Sequence, residues 1–127
     1  MSKSVTEEQK KPTHDPRYHW DREEHIILMD AYLKYRPQFP SSESEEIQEI
    51  SKLLRQYHPQ KGNPIHEKLR NGEGIYMKMM NFRRFDPTPE SKGLPKGNKL
   101  EQSIWDEFYD DQEGLRKAAE LIKESIR

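Results

Sequence analysis

The sequence predicts an all-α fold. Apolar residues recur at helical spacing in five separate stretches. Most of these stretches open on a capping side chain or close on a proline. No run of alternating β-branched residues occurs, so strands are not expected. The first three stretches are expected to form a three-helix core of helix-turn-helix kind, with two further helices behind it. At 127 residues the chain is expected to be one domain.

Residues 1–16 hold Ser, Thr, Glu, Lys and two prolines and almost no large apolar side chain, which predicts a disordered arm. The folded domain is expected over 17–127. Asp21 and Glu24 are spaced as a capping box. Ile27, Leu28, Ala31, Tyr32 and Tyr35 then mark a buried helix face, and Pro37 stops the helix. Ser44 ends a Pro/Ser linker as a candidate N-cap. Ile47, Ile50, Leu53, Leu54 and Tyr57 give a second helix that should end before Pro59. Residues 60–64 read as a turn-rich loop, and 65–69 are ambiguous between a helical turn and an extended piece.

The third helix, over 72–85, is the least ordinary stretch. Asn71 is its expected N-cap, two glycines loosen the turn ahead of it, and Asp86-Pro87 ends it. Ile75, Met79 and Phe82 make a buried stripe. Lys78, Asn81 and Arg84 fall elsewhere, each step of three drifting about 60° around a helix, so these three are expected on one outward face. Residues 90–97 should be a loop. A fourth helix begins at Asn98 with Glu101 as a box-like partner and carries Leu100, Ile104, Trp105 and Phe108. A fifth is capped by Asp110 or Asp111 and carries Leu115, Ala118, Ala119, Ile122 and Ile126.

The composition is polar, 31% hydrophobic and 35% charged with a mean hydropathy of -1.24, which predicts a small core. Net charge is -1, so a globally basic nucleic-acid binder is excluded. The charge is segregated, however. Residues 61–99 hold nine Lys/Arg against four Asp/Glu, a local charge of +5 that points to an anionic partner. No apolar run approaches the ~20 residues that cross a bilayer, and no membrane association is expected. The absence of cysteine rules out a disulfide scaffold or a thiolate metal site, and a cytoplasmic location is the expectation.

Catalytic motifs are missing. The five histidines show no metal-ligand spacing, and neither a nucleophile elbow nor a phosphate-binding Gly-rich loop occurs. Asp86, Glu90 and Lys92 imitate a nuclease metal triad, but in a Pro-rich loop without strands the match is accidental. Trp20, Trp105, Tyr76 and Phe108 lie at or within apolar stripes and read as core. The chain is expected to be no enzyme and to need no cofactor or metal.

A third helix carrying Lys, Asn and Arg outward resembles the recognition helix of Myb or homeodomain proteins, which enters the major groove. A more specific resemblance covers residues 20–126. Arg70-Asn71-x-x-Gly74-Ile75-Tyr76-Met77-Lys78-Met79-Met80-Asn81-Phe82, Asp86-Pro87, Gly93-Leu94, Gly97-Asn98-Lys99-Leu100-Glu101 and Ile104-Trp105-x-x-Phe108 carry it. Together they resemble the N-terminal domain of bacterial HNH endonucleases of the modification-dependent, 5-methylcytosine-specific restriction type. Two departures are Leu69, where an aromatic is commoner, and Gly72-Glu73 in place of a Pro-Asn pair. The resemblance implies a targeting module of a restriction, phage-defence system that binds double-stranded DNA, modified or plain, with the nuclease further along a parent chain.

The expected contact set is Arg70, Met77, Lys78, Asn81, Arg83, Arg84, Lys92, Lys96 and Lys99. Asn pairs with adenine, Arg with guanine, and Lys with guanine or phosphate. Met77 would sense a cytosine methyl group in the major groove. The alternative is an interaction module that pairs with itself as a homodimer or docks a partner protein, and the strongly acidic C-terminal helices favour it.

Overall fold

The computed structural model describes residues 18–88 and 99–127. These fold into α1 (Arg22–Tyr35), α2 (Glu45–Gln60), α3 (Gly72–Met80), a 3-10 helix (Asn81–Phe85), α4 (Lys99–Phe108) and α5 (Gln112–Ile126). There is no strand among the described residues. The arm expected over 1–16, the loop expected over 90–97 and the expected Asn98 cap lie outside the described residues.

Helix α1 is the axis of the fold. It packs against α3, α4 and α5, and Ile26, Ile27, Leu28, Met29, Ala31 and Tyr32 are all buried on it. A helix apolar most of the way round belongs inside a core rather than on its surface. Its start is the expected capping box: the Asp21 carboxylate accepts the Glu24 amide at 2.9 Å, and the Glu24 carboxylate accepts the Asp21 amide at 3.1 Å. Helix α3 is held between α1 and α2, and α5 closes the other side against α1 and α2.

Helix α2 is capped by Ser44, and it continues two residues beyond the expected stop, with Pro59 inside its last turn. Pro59 removes only one ladder donor there. The chain then curls back, with Lys61 and Asn63 amides both donating to the His58 carbonyl. Residues 67–70 form a turn. The left-handed residue in this turn is not a glycine but Arg70, with φ 50°. The glycine that matters is Gly72, for a different reason from backbone freedom. It lies in α3 where a Cβ would collide with the Gln48 amide and the Ser42 carbonyl, so its bareness lets α3 close on α2.

The expected single helix over 72–85 changes pitch after Met80. A 3-10 helix has three residues per turn, so side chains at i and i+3 eclipse. Phe82 and Phe85 therefore meet the same ring, Trp105, at 6.1 and 6.0 Å between centroids. By the same pitch Asn81 and Arg84 share an adjacent line. Both lines face α4.

Candidate functional site

The basic segment is organised around three buried carboxylates, and two of them, Glu24 and Glu101, engage residues expected to touch DNA. Glu24 is fully buried. Arg70 forks onto it, Nε to Oε2 at 2.7 Å and Nη2 to Oε1 at 3.0 Å. His58 Nε2 adds a bond at 2.9 Å, and the Asn63 amide faces His58 Nδ1 at 3.0 Å, which makes Nε2 the hydrogen-bearing nitrogen. The Arg70 guanidinium also lies 3.9 Å from the centroid of Trp20. Its expected place in a DNA contact set is corrected: Arg70 is 4% exposed and is tied to Glu24 and Trp20 in the interior. Its left-handed backbone is held by Ser51, whose hydroxyl donates to the Arg70 carbonyl at 2.6 Å.

Glu101, 1% exposed, is the second carboxylate. Lys78 Nζ lies 2.7 Å from its Oε2, the Asn81 amide donates to the same oxygen at 3.1 Å, and Arg84 Nη1 stands 3.8 Å from Oε1. Lys78, Asn81 and Arg84 do share a face, as their spacing requires. That face is turned to α4 and not to solvent: the Lys78 and Arg84 side chains are only 12% and 9% exposed. A lone buried carboxylate is costly, and an apolar-rich helix must bring cations to it. The outward expectation for these three residues is therefore corrected. Sequence reasoning took Glu101 for a helix cap, and its position some 20 residues from its partners gave no local signal.

Asp86 is the third carboxylate, 3% exposed. Arg36 Nη1 donates to Oδ1 at 2.8 Å, the Tyr32 hydroxyl to Oδ2 at 2.8 Å, and Thr88 donates both its amide and its hydroxyl to Oδ1. Burial works to raise its pKa, but the Thr88 amide, Tyr32, the Thr88 hydroxyl and Arg36 outweigh burial and hold the carboxyl below its usual range. Burial and Asp86 push the Tyr32 hydroxyl far above its ordinary value, so it stays a donor. With four donors on two oxygens Asp86 has little capacity left for a metal ion. No group of three His, Asp or Glu suited to a metal exists among the described residues.

Of the remaining expected contacts, Met77 is 63% exposed on α3, and Lys99 is exposed at the start of α4. Arg83 is half-buried beside the Asp86 cluster. Lys92 and Lys96 lie outside the described residues. No family model, curated protein or solved structure matches this chain. The geometry around the three carboxylates therefore stands alone.

His25, on α1, is a buried histidine outside these three clusters. It is 1% exposed, its Nδ1 bonds to the Asp21 carbonyl at 2.7 Å, and its buried Nε2 has no hydrogen-bond partner among the described residues. With Nδ1 as donor, Nε2 is a bare lone pair. Burial lowers its pKa, with Lys78 adding to the effect, while the Asp21 carbonyl, Glu101 and Glu24 oppose it. The folded state thus resists a proton that the unfolded chain accepts near its ordinary pKa of 6.5. Stability is full above that value and falls as pH drops below it, by at most about 1.4 kcal/mol per pH unit for one proton. Thermal melts at pH 7.5 and 5.5 should show this loss, and His25→Gln should flatten it. An equal loss in the variant would place the acid sensitivity elsewhere.

Proposed function

We propose that this chain is a DNA-binding module without catalytic machinery of its own. It holds the phosphate backbone of duplex DNA along the 3-10 helix and the start of α4. The observation that carries this reading is a gathering of cations on one side of the domain. Lys78 and Arg84 stand 2.7 and 3.8 Å from Glu101, Arg36 lies 2.8 Å from Asp86, and Arg83 is beside that cluster. Lys99, exposed two residues before Glu101, adds to the same side. The grouping of α3 against α1 and α2 supports a helix-turn-helix-like frame, in which α3 braces the domain. The sequence resemblance to the targeting domain of modification-dependent HNH endonucleases supports the same reading, with cutting done by a nuclease elsewhere in a parent chain.

Phosphate contact releases condensed counterions, so affinity must fall with salt. About four neutralised phosphates predict a roughly hundredfold loss for a blunt duplex between 50 and 200 mM salt. Lys99→Gln, which touches no buried group among the described residues, should lower the slope by about one phosphate. Fluorescence anisotropy of a labelled duplex measures both. Affinity that ignores salt, or no binding at low salt, overturns the proposal.

A further inference from the structure

A cleft of about 410 Å³ opens between the end of α1 and the end of the 3-10 helix. Its size lies in the range of ligand sites, about 300–1,000 Å³. Pro37 and Phe39 supply apolar walls, and Arg36, Arg83, Asp86 and Thr88 supply the polar ones. Phe39 is half-buried and packs on Tyr32 at 5.0 Å between ring centroids.

Arg36 is the decisive residue. Its guanidinium is fixed on two sides, by Asp86 at 2.8 Å and by the face of Tyr109 at 5.6 Å to the centroid. Among the described residues only Nη1 is used in hydrogen bonds. The Nε and Nη2 donors have no acceptor among the described residues. A guanidinium held in place with one edge unused is prepared for a planar or tetrahedral anion. Arg83 lines the same cleft and brings a second cation to it. Because Asp86 is saturated by its own donors, the cleft offers no strong acceptor to read a base edge. Recognition there would be by ring stacking and phosphate, which every nucleotide provides.

We propose that this cleft is a nucleotide site, taking a nucleobase against Phe39 and Pro37 and its phosphate on Arg36 and Arg83. It rests on the DNA reading above only for the source of the nucleotide, an unpaired residue of a strand. The nucleotide would be bound without selection for base identity.

Hexathymidylate and thymidine monophosphate, titrated calorimetrically into the whole chain, test it. Hexathymidylate should bind, and Phe39→Leu and Arg83→Gln should each weaken it at least fivefold. Phe39→Leu should leave blunt-duplex affinity within twofold. Should that variant fail to fold by circular dichroism, Arg83→Gln carries the test. Monophosphate binding within tenfold of the hexamer identifies a site for free nucleotides, and a larger gap one for strands; either supports the site. Absence of binding by both ligands, or undiminished binding in the folded variants, overturns it. Hexamer binding without any blunt-duplex binding would overturn the proposed function and leave the cleft standing.

Discussion

Arg70→Ala is expected to cost about 3–5 kcal/mol, a large share of the roughly 5–15 kcal/mol that holds a domain of this size. The reason is what stays behind. Glu24 is fully buried and loses the forked partner on both of its oxygens, keeping only the Asp21 amide and His58. Trp20 loses the guanidinium 3.9 Å from its ring. Lysine in the same place is no conservative replacement, because an ammonium can neither fork onto both oxygens nor lie flat on an indole. Arg70→Lys should therefore recover less than half the loss. Removing the charge as well, in Glu24→Gln with Arg70→Met, should be milder than Arg70→Ala, since no unpaired ion is buried. Urea denaturation of the four proteins orders them. An Arg70→Ala midpoint equal to the parent would mean that Glu24 reaches water, contrary to its burial.

The sequence showed the helices because their signals are local. The Asp21–Glu24 box, the Ser44 and Asn71 caps and the apolar stripes each lie within a few residues of one another, and the structure contains all of them. The direction of the basic side chains was not legible. Lys78, Asn81 and Arg84 share a face by periodicity, but whether that face meets water or another helix depended on Glu101. Arg70 was equally opaque, since its partner Glu24 is 46 residues away and its φ of 50° is ordinarily a glycine's. In this chain the cations of the basic segment are matched to carboxylates of other segments, so local charge overstated what faces solvent. Arg36 went unnoticed because it appeared only as the residue before Pro37. Its Asp86 partner was read as a helix stop.

These pairings change what a charge-removal experiment on the third helix would mean. Lys78→Met with Arg84→Met takes both cations from the buried Glu101 carboxylate, and the expected cost is again about 3–5 kcal/mol. Lost DNA binding in that double variant would then follow from lost folding and would say nothing of a reading face. Adding Glu101→Gln separates the two causes. The neutral amide no longer needs a cation, so the triple variant should recover most of the stability. Its net charge at this junction falls by only one, from two cations on one carboxylate to none on none. If Lys78 and Arg84 serve Glu101, the folded triple variant should still bind duplex, with a salt slope smaller by about one phosphate. If they read bases, affinity should stay lost, by about 1–3 kcal/mol for each bidentate contact removed, although the fold is restored. Melting temperature and anisotropy measured on the same three proteins decide between these outcomes. The burial of both cations against α4 predicts the first.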